Sequence, residues 1–425
     1  SLGGAPGDGG TGSDVTVSHI GNITTLGENS TGIMAQSVGG GGGNTGTDIL
    51  YNSDSGDNAN SLSFAIGREG GTGGSAGNVE LNSDGNVSTA GDNSYGLLAQ
   101  SIGNGGGNSS ATSLGGSGGD FSGSISVGLE GAEGGDAGTV DLTADGSVIT
   151  AGDNAHSIFA QSIGGGGGNG GQSFDPESPY LVALTVVGGI ENQFGDPTTS
   201  VGIDIGGAGG IGGIGQKVTV DNSAYLGTTG EGAIGILAQS IGGGGGTGGA
   251  SYNTGLAANG NGAMISVGGE GGIGTDGGEL DVDNSGLIQT TGEKSHGIVA
   301  QSLGGGGGSG GMVVSGFVNT SAANQTNQLS VAVGGSGGTG GVGKNVSVDN
   351  TGNVSVTGAN SVGIIAQSIG GGGGDASYVV SGNVSTSGGS NKVSLGIGGS
   401  GGTGGTSGDV SVTNKEVAGV DPSGV

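Results

Sequence analysis

The nonapeptide AQSIGGGGG stands at Ala160–Gly168 and returns unchanged at Ala238–Gly246 and Ala366–Gly374, with near copies starting at Ala35, Ala99 and Ala300. Measured between the alanines, the copies lie 64, 61, 78, 62 and 66 residues apart. Self-similarity at such a period marks an array of one supersecondary unit. One unit reads LSVAVGGSGGTGGVGKNVSVDNTGNVSVTGANSVGIIAQSIGGGGG from Leu329 to Gly374, and the same order returns from Ile265. The chain therefore reads as one continuous array over 1–425, with both ends falling in mid-repeat. The long spacing holds an insertion at 171–200, whose segment Phe174–Pro197 carries three of the five prolines and is expected to form a loop or side hairpin.

Each unit carries short runs in which apolar and polar or small residues alternate, such as Val346/Val348, Val354/Val356 and Ile364/Ala366. This is the period of a strand with one apolar face. Asp349-Asn350, Asn353 and Gly358-Ala359-Asn360 supply the turns between them. The fold class expected is all-β, an elongated parallel β-solenoid (β-helix) of about six glycine-rich repeats. The spacing leaves open whether a unit is one rung or several. Only in the one-rung case do Gln36, Gln100, Gln161, Gln239, Gln301 and Gln367 stack as an amide ladder.

Glycine accounts for 119 of 425 residues, a cost in backbone entropy that needs a specific structural offset. Gly164, Gly242, Gly304 and Gly370 open the tracts and are assigned as structural markers of the repeat. Two readings of the tracts stand side by side. They are tight turns and close-packed rungs that exclude a side chain, or, from the Gly-Gly-X period in GGSGGTGGVG and GGAGGIGGIG, polyproline-II-like helices of three residues per turn. In either case valine at Gly371 and Gly372 is expected to destabilise the local rungs.

Composition excludes several functions. A net charge of −29 with only six Lys or Arg, dispersed along the chain, leaves no basic patch for nucleic acid or an anionic membrane. The absence of cysteine removes disulfides and thiolate metal sites. No apolar run approaches the roughly 20 residues of a membrane-spanning helix. A phosphate loop is not matched by the tracts, and the nearest sequence, GTGGVGKN at Gly338–Asn345, ends in Asn and leads into strand-like VSV. His19, His156 and His296 lie beside repeat turns and read as tolerated surface positions. GGIGTD at Gly271–Asp276 resembles the opening of a calcium-binding nonapeptide, which makes Asp276 a weak calcium candidate, but neighbouring copies lack the carboxylate. No catalytic or cofactor-binding residue emerges, and no enzyme activity is expected.

The pattern GNITTLGENSTGIMAQSVGGGGG from Gly21 to Gly43, repeated as GNVSVTGANSVGIIAQSIGGGGG from Gly352 to Gly374, resembles repeats in the passenger regions of large autotransporter proteins of Gram-negative bacteria. The resemblance covers essentially the whole chain. It implies a parallel β-solenoid displayed outside the cell, attached to the outer membrane through a separate C-terminal barrel. The function expected is a non-enzymatic structural or adhesive one: a surface stalk or filament in adhesion, aggregation or biofilm formation. Self-association and contact with host or environmental surfaces or glycans are the partners expected. The alternatives are an ice- or carbohydrate-binding solenoid, which requires aligned outward threonines, and a calcium-dependent repeat adhesin.

Overall fold

A computed structural model describes residues 4–53, 60–117, 121–176, 199–256, 261–319, 326–385 and 390–415. Among these residues there is no helix, and every strand pairing is parallel. The strands form four sheets, one of ten strands and three of six.

Each unit contributes a strand, or a broken pair of strands, to each sheet in turn. In the unit beginning at Val140, Val140–Thr150 enters the first sheet, Ile158–Ile163 the second, Ser173–Pro176 the third and Thr199–Ile205 the fourth. Corresponding residues of successive units are hydrogen-bonded neighbours: Ala160 pairs with Ala99 on one side and Ala238 on the other. One unit is therefore one layer. A unit advances the stack by one strand spacing, about 4.8 Å, so six layers rise only about 29 Å. The sequence reading expected elongation along the array, but the residues of a unit go into the width of its layer.

Three regions make up that width. At one end, the first and second sheets enclose the apolar core. The first-sheet strand bends at its middle, and later units break it there, as in Val218–Asn222 and Tyr225–Thr228. Val218, Val220, Leu226, Ile236 and Ala238 of that unit all point inward with no exposure. The alternation at Val346/Val348 is seen as expected, with both side chains buried.

The glycine tracts form the middle of each layer. The outgoing tract follows the AQS strand, and the returning tract leads back to the first sheet. They run antiparallel and side by side, because Gly165, Gly168 and Gly171 donate to the carbonyls of Gly135, Ala132 and Leu129. Their neighbours Gly164, Gly167 and Gly170 donate instead to Ile241, Gly244 and Thr247 of the next layer. Every third residue has the same partner type, which is the period of a polyproline-II helix, with one direction to the next layer, one to the adjacent tract and one to solvent. In GGAGGIGGIG the outward positions are Ala208, Ile211 and Ile214, the X residues of the triplet.

This arrangement selects glycine by space. A Cβ added at Gly164, Gly242, Gly304 or Gly370 would come within 2.0 Å of a carbonyl oxygen of the facing tract. The third glycine of each run is different: at Gly166 the nearest atom to such a Cβ is Gly244 O at 3.8 Å, and at Gly372 nothing lies within 4 Å. The expectation that valine at Gly371 and Gly372 destabilises the local rungs is thus narrowed to Gly371. Gly371 faces Gly305 O, whereas Gly372 faces open space.

The third and fourth sheets face each other in an arm at the far end of the layer. Its interior is mostly polar and small, with one buried apolar pair, Met264 and Phe317: Ser126, Asn253, Ser266 and Ser330 are fully buried there, and Thr112 Oγ1 lies 2.6 Å from Ser126 Oγ. All variation in unit length falls, in sequence, between a unit's third-sheet and fourth-sheet strands. Between the first two units the offset is 64 residues along the third sheet and 61 along the fourth. The insertion expected at 171–200 spans that same interval of the chain, but Ser173–Pro176 within it and Thr199–Ile205 at its end are ordinary strands, and 177–198 lies outside the described residues.

Candidate functional site

Because a unit is one layer, identical polar residues meet, and the chemistry of the stack is that of ladders. Gln36, Gln100, Gln161, Gln239, Gln301 and Gln367 project from the second sheet, and each Nε2 donates to the next Oε1, at 3.0, 3.0, 3.0, 2.8 and 2.7 Å. The flanking residues of AQS have their own tasks. The alanine faces the apolar core, fully buried in Ala160 and Ala238. The serine is buried beneath the point where the returning tract enters the first sheet: Ser240 Oγ donates to Gln216 O at 2.7 Å and accepts the Gly278 N–H at 2.7 Å, joining two layers.

A second amide ladder was not anticipated from sequence. Asn222, Asn284, Asn350 and Asn414 link Nδ2 to Oδ1 at 2.7, 2.6 and 2.6 Å where the first sheet bends. The second proton of Asn284 Nδ2 reaches Gly286 O at 3.0 Å, closing the turn of its own layer. The signal was the recurrent Asp-Asn at 221–222, 283–284 and 349–350, which local turn chemistry alone accounts for equally well.

Beside it the aspartates of the same dipeptides, Asp221, Asp283 and Asp349, form an outward row along a shallow groove of about 290 Å³. Partial burial, then the Asp221 and Asp349 charges, push the Asp283 carboxyl above its ordinary range. Asp276, the calcium candidate, stands elsewhere. Its Oδ2 lies 2.7 Å from Lys344 Nζ and its Oδ1 accepts the Val342 N–H at 2.7 Å, so both oxygens bind the next layer. Burial raises its pKa, but the Lys344 and Val342 bonds outweigh that and hold it below the usual carboxylate range. The same contact engages the lysine of GTGGVGKN. No group of three or more His, Asp or Glu residues with metal-binding proximity occurs among the described residues.

The histidines are more structural than a tolerated surface position implies. His156 Nδ1 accepts the Ile234 N–H at 3.1 Å, and His296 Nδ1 accepts the Val362 N–H at 3.0 Å, so each tethers the turn of the following layer. The His156 ring stacks on Tyr95 with centroids 5.4 Å apart and meets Phe159 edge-on at 5.7 Å. Burial lowers its pKa to about 4.

Threonines also align, but inward. Thr89, Thr150, Thr228 and Thr290 are buried, and each Oγ1 caps a carbonyl five residues later. The adjacent outward row reads Thr24, Ser88, Ile149, Gly227, Gln289 and Ser355, which is not a flat threonine array. The glutamines, asparagines and serines that the repeat aligns thus serve hydrogen bonds between layers, while the threonines close turns within their own. No protein family, curated protein or solved structure matches this chain.

Proposed function

We propose that the chain is the repeat region of a non-enzymatic extracellular scaffold, a closed parallel β-solenoid with a polyglycine middle, displayed on a Gram-negative cell surface in the manner of an autotransporter passenger. In this reading it is held to the outer membrane by a separate barrel and mediates adhesion or aggregation, including contact between copies. The observation that carries the reading is the use of the repeat motif: in AQS the alanine fills the core, the glutamine forms a ladder and the serine joins layers. A motif engaged in this way supports a mechanical role, since in-register ladders and continuous main-chain bonding give a stack that resists unfolding and proteolysis.

The test is to display the chain on the outer membrane of a non-aggregating Gram-negative cell and follow settling and surface attachment. Increased aggregation or attachment, lost when the chain is deleted from the fusion, is the expected result. Unchanged settling and attachment at confirmed surface display overturns the adhesive reading.

A further inference from the structure

The fourth sheet is inverted. Its strands bury Ser126, Asp204, Ser266 and Gln328 in the arm, together with Ala65, Met264 and Ala332, and turn their branched aliphatic residues outward. The middle outward row runs Phe64, Ile125, Ile203, Ile265, Val331 and Leu395. The rows on either side, beginning at Leu62 and Ile66, contain only Leu, Val, Ile, Ala and Gly123. Leu62 is 70% exposed and Ile265 is 41% exposed. Shifting the pleat by one residue would hide all three rows, so this outward placement, repeated in six strands, needs a covering surface to offset its exposure.

We infer that this face pairs with the same face of a second copy of the chain. Three observations select that occupant. The first is charge: on a chain of net charge −29, these three rows carry no ionisable or hydrogen-bonding side chain, so here two copies approach without carboxylate repulsion. The second is area. Six strands at about 4.8 Å and seven residues at about 3.3 Å give roughly 650 Å² per copy, or about 1,300 Å² for the pair, within the range of specific interfaces. The third is period. The rows repeat at the strand spacing, and a second stack has the same spacing, so side chains interdigitate in every layer across a sheet separation of about 10 Å.

Charge also fixes the symmetry. Exposed Glu69, Glu130 and Glu270 border the face where the strands run into the returning tract, and Glu69 and Glu133 raise the Glu130 carboxyl after burial has done so. A two-fold axis parallel to the stack places this acidic rim over the arm tip of the partner, whereas an axis along the strands sets rim against rim. The pair therefore has both stacks rising in the same direction, with Ile203 facing the partner's Ile203. This deepens the scaffold reading by naming its self-contact surface, but the pairing is a property of the purified chain and stands or falls apart from cell adhesion.

Sedimentation of the purified chain over a concentration series is expected to show a monomer–dimer equilibrium. The pair Ile203→Lys with Ile265→Lys should abolish it with an unchanged β-type circular dichroism spectrum. Ile203→Thr with Ile265→Thr, which retains strand propensity, should weaken it at least tenfold and decides the matter if the lysine variant does not fold. Since the chain has no cysteine, Ile203→Cys should be joined to itself by a short bismaleimide, and Thr254→Cys on the outer face of the third sheet should not. A monomer at all concentrations, dimerisation untouched by the threonine pair, or equal cross-linking at 254 overturns the proposal. Flotation of the chain with zwitterionic phosphatidylcholine vesicles, lost in the lysine variant, would assign the face to lipid and likewise overturn it.

Discussion

Valine at Gly243 and valine at Gly244 should have opposite consequences although the residues are adjacent. Neither glycine has a left-handed backbone, so side-chain conformation is not at issue. A Cβ at Gly243 would lie 2.0 Å from Gly165 O and 2.9 Å from Gly213 N, while at Gly244 the nearest atom is Gly306 O at 3.5 Å. Restoring an ordinary C···O distance of about 3.3 Å at 243 requires the tracts to part by about 1.3 Å. That breaks the bond from Gly213 N–H to Gly165 O, at 2.6 Å, beside which the Cβ falls, and the one from Gly243 N–H to Gly213 O, at 2.8 Å. Two net hydrogen bonds at about 0.5–1.5 kcal/mol each, plus about 1–3 kcal/mol for a buried group left unpaired, give about 2–6 kcal/mol. Hydrogen exchange reads this locally: the Gly213 and Gly243 amides should exchange some 30- to 20,000-fold faster, a factor of ten for about each 1.4 kcal/mol. Valine at 244 should leave both amides within about twofold of the parent, since surface changes of this kind stay within about 0.5 kcal/mol. Equal protection in the two variants would refute the tract geometry and restore the flexible-loop reading.

Four further outcomes are expected. Asn284→Ala removes bonds to Asn222, Asn350 and Gly286 from a buried position and should lower stability by about 2–4 kcal/mol in denaturant unfolding, a larger loss than for the partly exposed Gln239→Ala, at about 0.5–1.5 kcal/mol. Ser240→Ala leaves Gln216 O and Gly278 N–H without their bridge and should cost about 1–3 kcal/mol, with faster exchange at Gly278. His156 has a folded pKa of about 4, below its unfolded value of 6.5, so its stabilisation is complete above pH 6.5 and is lost as pH falls towards 4; His156→Phe should remove about 3 kcal/mol of that pH dependence. Asp283→Asn relieves repulsion from Asp221 and Asp349 and should raise stability by a few tenths of a kcal/mol after solvent screening, a gain that shrinks with added salt.

Local features were legible in the sequence wherever a residue acts within its own strand or turn. Val346 and Val348 face the core because a strand alternates, and the sequence displays that alternation directly. The glutamine ladder was legible only conditionally. In an array of near-identical units, the same sequence serves one rung or several, and only the pairing of Gln161 with Gln100 and Gln239 distinguishes them. The Asn222 ladder and the His156 tether escaped for the same reason: both act between residues 62 or 78 positions apart, while their local setting is a plain turn. The inverted arm escaped because alternation names two faces without saying which is inside.

Restriction of length changes to the interval between the third-sheet and fourth-sheet strands follows from how the glycine tracts bond. A row of hydrogen bonds passes alternately between outgoing and returning tracts, from Gly402 N–H through Gly374, Gly338, Gly308 and Gly272 and on to Gly7 O, with twelve bonds of 2.7–3.0 Å. A parallel row runs from Gly405 to Gly10. The longest bonds in these rows, 3.0 and 3.2 Å, are donated by Ala132, Asn104 and Thr275, where a side chain replaces glycine. A substituted residue stretches one link, but an inserted one would turn the rest of its tract by a third of a revolution and send amides meant for the next layer towards solvent. Four sheets in register above and below leave no room to absorb that turn, so an added residue is tolerated only where no ladder crosses, beyond the ends of the third and fourth sheets. The glycine content that first suggests looseness thus imposes the strictest length constraint in the unit, and it is this constraint that keeps every glutamine, asparagine and serine opposite its copy.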